Sequence, residues 1–158
     1  MMIIVKGEDM DKTKKRAKCD VCKNYILIDE FGNGENCPIC GWKQSEESFY
    51  HKDVAGIRNI PCLNNAIKQY KEGKSAILAN FSDFVMAYKN YGEVEFTYNN
   101  TRYGVYFDEK HKKVAMENLK DNVTQYFESI EDFADNAMIN GVNLKSLWQF
   151  VTDTDFLQ

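Results

Sequence analysis

The amino-acid sequence predicts an α+β fold, in which a small cysteine-rich module precedes a larger domain. Two CxxC pairs lie near the start of the 158-residue chain. Later in the chain, apolar residues at helical spacing flank a stretch where apolar and polar residues alternate, as in an antiparallel sheet. Residues 43–60 are polar and irregular, so we place the module at residues 1–50 and the α+β domain at residues 57–158.

The two cysteine pairs are Cys19-Asp20-Val21-Cys22 and Cys37-Pro38-Ile39-Cys40. A CxxC turn places two sulfur atoms on one edge of a tetrahedron, the geometry in which zinc binds four thiolates at about 2.3 Å. The apolar run at residues 1–5 is too short for an export signal, so we expect a cytoplasmic protein with reduced thiols. The spacing predicts a structural Zn²⁺ bound by Cys19, Cys22, Cys37 and Cys40; a rubredoxin-like iron site has the same ligands.

Between the pairs, residues 24–30 read as a strand and residues 31–34 as a hairpin turn, which together predict a zinc ribbon. Gly41 suits the positive φ that the second knuckle needs, and Asn24 tolerates that conformation in the first. Cys62 and His51 lack nearby partner ligands, so we expect a buried small residue and a surface imidazole.

The segment Gly34-Glu35-Asn36-Cys37-Pro38-Ile39-Cys40-Gly41-Trp42, preceded by a CxxC pair, resembles the bacterial cysteine-rich CPCC family. The resemblance covers residues 18–45 and implies a metal-binding role for the four cysteines. Two features depart from the family pattern. The first knuckle reads Cys-Asp-Val-Cys instead of Cys-Pro-Cys-Cys, and Lys43-Gln44 stands where an acidic pair is usual.

The domain after the module begins with two predicted helices. The apolar positions of the first are Leu63, Ala66, Ile67 and Tyr70, and those of the second are Phe81, Phe84, Val85 and Tyr88. Gly73 ends the first helix, whereas Asn80 and Gly92 cap the second.

A β-meander follows. Alternating residues on either side of Asn99-Asn100 predict a type I′ hairpin, because Asn accepts positive φ. The register places Tyr98 opposite Thr101, Phe96 opposite Tyr103 and Val94 opposite Val105. Val114 and Met116 predict a third strand, and residues 123–127 predict a fourth.

Two further helices are expected to close the chain, which brings the domain to about four. Ser129 caps the first of them, and Asn140-Gly141 ends it. Its apolar stripe consists of Ile130, Phe133, Ala134, Ala137 and Met138. The last helix has Asn143 as its cap and a stripe formed by Leu144, Leu147, Trp148 and Val151.

No catalytic motif accompanies these elements. The sequence lacks a glycine-rich phosphate loop, a GxSxG elbow and a paired-histidine site, so we expect a protein that is not an enzyme. Glu93 and Glu95 share a strand face, and Arg102 across the hairpin makes an ion pair the simpler interpretation.

The charge distribution suggests how the protein acts. Residues 119–158 carry two lysines against seven acids, which suits a basic partner. The strands leading into Ser-Ile-Glu-Asp-Phe and a closing Leu-x-x-Leu-Trp helix resemble small α+β proteins of toxin–immunity neighbourhoods. We therefore expect a non-catalytic bacterial immunity or inhibitor protein that binds a basic toxin, such as a nuclease. The expected partner-binding residues are Glu128, Glu131, Asp132 and Asp135.

The alternative is a nucleic-acid-binding or transcription-associated zinc ribbon. It rests on a basic run formed by Lys12, Lys14, Lys15, Arg16 and Lys18. Apolar residues make up 44% of the chain, but no run approaches the length of roughly 20 residues that a membrane helix needs. We therefore expect no membrane interaction.

Overall fold

A computed structural model describes residues 2–4 and 13–157 as a mixed α+β structure. Within this described part the chain has five α-helices, and its strands pair in antiparallel fashion. The predicted fold class is therefore confirmed. Contacts divide the chain into two compact units, Met1–Ile77 and Leu78–Gln158. None of the helices in residues 13–157 is long and apolar enough to cross a membrane.

The first unit contains a three-stranded sheet with strand order β1-β2-β3 and two helices. Its elements are β1 (Met2–Ile4), β2 (Thr13–Lys18), β3 (Tyr25–Ile28), α1 (Glu46–Tyr50) and α2 (Leu63–Lys71).

Most of the basic run belongs to a strand. Lys14, Lys15, Arg16 and Lys18 belong to β2, whereas Lys12 lies outside the described residues. The predicted strand after the first CxxC is β3, and β2 is its antiparallel partner. The chain returning from the turn makes an isolated bridge between Ile28 and Gly34. The pairing of β2 with β3 covers an apolar side chain, because Ile26 of β3 is buried opposite Ala17 of β2.

Residues 43–60 are ordered, although their composition suggested a linker. Ser45 caps α1 by accepting a hydrogen bond from the Ser48 N–H at 3.2 Å. The Asn59 side chain accepts from the Lys43 N–H and donates to the Lys43 carbonyl, both at 2.9 Å. Leu63 and Ala66 of α2 then pack in one core with the cysteines. The buried side chains of Ser45 and Asn59 bond the backbone within this stretch. The division between the two compact units falls later, between residues 77 and 78.

The second unit is built on a five-stranded antiparallel sheet with strand order β10-β4-β5-β6-β7 and a separate two-stranded β8-β9 hairpin. Its strands are β4 (Glu93–Tyr98), β5 (Thr101–Asp108), β6 (Lys113–Asn118), β7 (Thr124–Phe127), β8 (Met138–Ile139), β9 (Val142–Asn143) and β10 (Val151–Phe156). Its helices are α3 (Phe81–Tyr91), α4 (Ile130–Asn136) and α5 (Leu144–Leu147).

The predicted meander and its register are confirmed. Val94 pairs with Val105, Phe96 with Tyr103 and Tyr98 with Thr101. Asn99 and Asn100 have φ angles of 49° and 59°, as a type I′ turn requires. The predicted caps of α3 and α4 are also present, because Asn80 accepts from the Asp83 N–H and Ser129 from the Asp132 N–H.

The end of the chain differs from the expectation of two closing helices. Helix α4 ends at Asn136, and Asn140 and Gly141 form the turn of the β8–β9 hairpin. Helix α5 is a single turn that passes into a 3₁₀ turn, Trp148–Phe150. Val151 then starts β10, which pairs with β4, so the predicted helix through Val151 is wrong. The reason is tertiary: β10 completes the edge of the sheet and buries Thr154 opposite Phe96.

An aromatic cluster forms the core of the second unit. Phe84, Phe96 and Phe133 have no exposed surface. The Phe84 ring centroid lies 4.8 Å from that of Trp148 and 5.6 Å from that of Phe96. The Trp148 indole N–H donates to the Ala79 carbonyl at 3.0 Å, which satisfies its polar group inside this core.

Candidate metal centre

The four predicted cysteines meet in one cluster. The Sγ atoms of Cys19, Cys22, Cys37 and Cys40 all lie within 4.8 Å of one another. The closest contacts join the two pairs, with Cys19 3.6 Å from Cys40 and Cys22 3.5 Å from Cys37. Four sulfurs at about 2.3 Å from a central ion are separated by about 3.8 Å, so the cluster fits a tetrahedral thiolate site.

Each CxxC pair forms a knuckle with the same backbone hydrogen bonds. The Cys19 N–H donates to the Asn24 carbonyl at 2.7 Å, and the Cys37 N–H donates to the Trp42 carbonyl at 2.8 Å. The residue directly after each pair takes a positive φ, 65° at Lys23 and 80° at Gly41. Lys23 therefore takes the conformation expected of Asn24, and its Nζ donates to the Asp20 carbonyl at 2.8 Å.

The pKa values of the clustered thiols shift in different directions. Burial raises the pKa of the Cys19 thiol even though the Cys22 and Val21 N–H groups donate to its sulfur. At Cys37 burial also acts to raise the pKa, but N–H donors from Cys40 and Ile39 outweigh it and lower the pKa. Burial raises the pKa of Cys40 as well. Buried thiolates need a compensating positive charge, which a bound cation at the cluster centre would supply.

Gln44 ties the two knuckles together, and sequence reasoning missed it. Its side-chain amide donates to the Asp20 carboxylate and accepts from the Asp20 N–H at 3.1 Å. The backbone carbonyl of Gln44 accepts a hydrogen bond from the Gly34 N–H at 3.1 Å. Gln44 is buried, so this departure from the acidic pair of the family pattern has a structural role. Nothing in the local sequence indicated that role, because Asp20 lies far away in the chain.

An apolar core lies against the cluster. Trp42 is 1% exposed and packs with Val21, Leu63 and Ala66. Cys62 is buried at the start of α2 and lies outside the thiol cluster, whereas His51 is exposed. Four cysteine ligands complete a tetrahedron, so the arrangement is typical of a structural metal site rather than a catalytic one.

Residues 17–85 match the family model described as Cysteine-rich CPCC. The resemblance seen in the sequence is confirmed, and the matched region reaches beyond residues 18–45 to include α1, α2 and the start of α3. No curated protein and no solved structure matches the chain. The matched segment, called the CPCC segment below, contains the whole thiol cluster.

The acidic residues expected to bind a partner lie outside the CPCC segment, and lysines of the second unit pair with three of them. The pairs are Glu128 with Lys113 (2.8 Å), Glu131 with Lys89 (2.8 Å) and Asp135 with Lys145 (3.7 Å). Asp132 instead accepts from the Glu128 N–H and the Asn136 amide. The Lys89 bond lowers the pKa of Glu131, and the Glu128 N–H lowers that of Asp132. Local lysines therefore offset much of this negative charge.

A more strongly acidic surface lies on the sheet of the second unit. The pairing of β10, β4, β5 and β6 places six carboxylates on one sheet face, which we call the acidic sheet face: Glu93, Glu95, Asp108, Glu117, Asp153 and Asp155. Arg102 on the same face bonds Glu95 and lies 2.5 Å from the Asp153 carboxylate. The expected Glu95–Arg102 pair is thus present. Sequence reasoning missed this face because it assigned the region after Val151 no strand, although Val-Thr-Asp-Thr-Asp-Phe partly alternates in polarity.

Proposed function

We propose that the CPCC segment binds one structural Zn²⁺ through Cys19, Cys22, Cys37 and Cys40. The observation that carries this proposal is the convergence of four sulfurs from two knuckles with matching backbone hydrogen bonds, at separations that suit a tetrahedral thiolate site. The ion would neutralise the thiolates and join chain segments that a small core holds weakly on its own.

Metal analysis tests this assignment. Purified full-length protein should contain one zinc per chain, and replacement by Co²⁺ should give the intense visible bands of a tetrahedral tetrathiolate. Cys37→Ser should lose the metal, whereas Cys62→Ser, a change at a buried cysteine outside the cluster, should keep it. Purification with iron in place of zinc, or equal metal content in both variants, would contradict the proposal.

We further propose that the protein acts by binding rather than catalysis, and that its partner is a cationic protein, as for an immunity protein that neutralises a toxin. The acidic sheet face supports this proposal. It carries six carboxylates against two cations, Arg102 and Lys113, and Glu93 and Asp155 are exposed. A surface of this charge attracts a basic partner and accelerates their association.

The helix-end acids Glu128, Glu131, Asp132 and Asp135 are expected to contribute less. Three of the four acids form exposed ion pairs with lysines, which leaves a smaller net charge for a partner to meet. Charge reversal at Glu131, Asp132 and Asp135 should therefore weaken the complex to a smaller extent than reversal on the acidic sheet face.

Affinity capture followed by a growth assay tests the partner. The chain should retain a basic protein from its native cells at low salt, and that protein expressed alone should arrest growth. Co-expression of the chain should restore growth, and Glu93→Lys with Asp155→Lys should abolish the rescue. Glu109→Lys is the matched control, since Glu109 lies in an exposed turn paired with Lys112. Equal rescue by both variants, or a captured protein without toxicity, would contradict the proposal.

A further inference from the structure

The outer face of the β2–β3 pair combines cations with an exposed aromatic ring. In the antiparallel register Arg16 lies opposite Leu27 and Lys18 opposite Tyr25. Lys14 precedes Arg16 by two residues and shares its face. We call these five residues the basic face. The opposite face of β3 packs in the core of the first unit, where the Ile26 side chain is buried and the Ile28 side chain contacts the buried cluster.

Arg16 and Tyr25 form a stacked pair on this face. The guanidinium carbon of Arg16 lies 3.9 Å from the centre of the Tyr25 ring, and Lys18 Nζ lies 5.9 Å from it. Tyr25 is still 54% exposed. Guanidinium planes and aromatic rings are the surfaces on which unpaired bases stack.

A groove of about 490 Å³ runs along the basic face. It is lined by Lys14, Arg16, Tyr25, Ile26 and Leu27 of β2 and β3, by Glu35 and Asn36 just before the second knuckle, and by Pro38 within it. This volume lies within the range of about 300–1,000 Å³ typical of ligand sites. The groove lining therefore has two cations against one carboxylate, together with an aromatic and an aliphatic surface.

We propose that the basic face binds single-stranded nucleic acid, with bases stacked against the Arg16–Tyr25 pair and phosphates neutralised by Lys14, Arg16 and Lys18. Single strands are favoured over duplexes because the stacking surface is accessible only to bases that are not paired within a helix. The inference goes beyond the proposed function. It rests on β2, β3 and the second knuckle of the first unit, whereas the proposed protein partner meets the acidic sheet face of the second.

The charges on this face set a quantitative expectation. Three phosphates neutralised by Lys14, Arg16 and Lys18 on a single strand should give a log–log salt dependence of the binding constant with a slope of about −2. Removing one of these cations should reduce the magnitude of the slope by about 0.7. Loss of the Tyr25 ring should weaken binding about tenfold with little change in slope, because stacking releases no counterions.

Fluorescence anisotropy with a labelled oligo-uridine and a matched duplex tests the proposal on the metal-loaded full chain. Wild-type protein should bind the single strand more tightly than the duplex. Arg16→Gln should reduce affinity and slope, Tyr25→Ala should reduce affinity alone, and Tyr25→Phe should restore it. The matched control is Lys15→Gln, which removes the same charge from the opposite face of the same strand. Metal content and circular dichroism establish that each variant is folded.

Any one of four results would overturn the inference. The first is the absence of binding at low salt, and the second is an equal loss for Lys15→Gln and Arg16→Gln, which indicates diffuse attraction without a site. The third is displacement of the oligonucleotide by poly-glutamate at equal charge concentration, which assigns the face to an acidic protein. Equal affinity for duplex and single strand would contradict the stacking role of Tyr25.

Discussion

The two units of this protein reach a folded state by different means. Among the described residues of the first unit, Trp42 is the one aromatic residue of the buried core, and the others are cysteine, alanine and aliphatic side chains: Cys19, Val21, Ile26, Cys37, Leu63, Ala66 and Ala76. In the second unit large aromatic rings fill the space between the sheet and its helices: Phe84, Phe96, Phe127, Phe133 and Trp148. The stability gained from burying a side chain scales with its apolar area, so apolar burial contributes less to the stability of the first unit.

The difference shows what polar and metal-binding groups do in the first unit. Gln44 and Asn59 bond distant backbone groups, and the proposed metal joins two knuckles that lie about 18 residues apart in the chain. In the second unit sheet pairing and aromatic packing perform that task. The two units should therefore respond oppositely to metal removal and to loss of a buried ring.

The largest effect is expected for Cys37→Ser. Coordination of a structural zinc contributes on the order of 10 kcal/mol or more to the folding of small zinc modules, so its loss should unfold the first unit. Because α2 shares the core with the cysteines, residues 63–71 should unfold together with the knuckles. NMR spectra should retain dispersed signals for residues 78–157 alone. Cys62→Ser should retain both sets of signals; loss of all dispersion in Cys37→Ser would contradict the independence of the second unit.

The converse change is Phe133→Ala. Phe133 is fully buried against Phe84 and Phe127, so its truncation should cost about 3–5 kcal/mol of stability in the second unit. Urea unfolding followed by tryptophan fluorescence measures this loss, and the metal content should stay unchanged. Phe150→Ala, at a position that is 60% exposed, should change stability by about 0.5 kcal/mol or less. Release of the metal from Phe133→Ala would show that the units are coupled.

A smaller effect is expected for Asn59→Ala. This change leaves the N–H and carbonyl of Lys43 without their partner, which should cost about 1–3 kcal/mol. The rate of zinc release to a chelator should rise, because Lys43 directly follows Trp42 of the second knuckle. Asn64→Ala removes an exposed bond to Asp53 and serves as the control, with little expected change. Equal rates of zinc release in the two variants would contradict a role for the hydrogen bonds between Asn59 and Lys43.

The smallest effect concerns Tyr106 on the sheet of the second unit. Burial, together with its 2.9 Å hydrogen bond to Glu117, raises the pKa of Tyr106 to about 12. Since the folded state holds this proton more tightly than the unfolded state, the associated stability is complete below pH 10. It is lost as the pH rises from 10 towards 12.

Ultraviolet titration of the phenolate checks this value. The difference between wild-type protein and Tyr106→Phe should appear only as the pH approaches 12. Glu117→Gln should move it towards lower pH, because the neighbouring negative charge is removed. A difference that already appears at the ordinary tyrosine pKa of 10 in wild-type protein would contradict the burial and hydrogen bonding of Tyr106.

Local chemistry made parts of the structure predictable from sequence. The spacing of the four cysteines predicted the thiol cluster, because two thiols in a CxxC turn are suited to one edge of a tetrahedron. Asn99-Asn100 determined the central hairpin and its register, since few residue pairs accept two positive φ angles. The helix caps at Asn80 and Ser129 were also predictable, because each side chain bonds a backbone N–H only three residues further along the chain.

Features that depend on distant partners were missed. Val151 was assigned to a helix because Leu144, Leu147, Trp148 and Val151 have helical spacing, and the rest of β10 was assigned to no strand. Nothing local reveals that β4 has a free edge for β10 to join. The polar residues 43–60 suggested a linker, yet Asn59 and Gln44 are buried because they bond backbone groups far away in sequence. The acidic sheet face was missed for the same reason, since it forms only when β10 joins β4.

The central claim is that a metal held by four thiolates stabilises the first unit, whereas an aromatic core stabilises the second. Amide hydrogen exchange of the full chain, measured before and after metal removal by a chelator, tests it most directly. The expected result is a loss of protection across residues 13–77, unchanged protection across residues 78–157, and recovery when Zn²⁺ is restored. Unchanged protection across residues 13–77 after complete metal removal would contradict the claim.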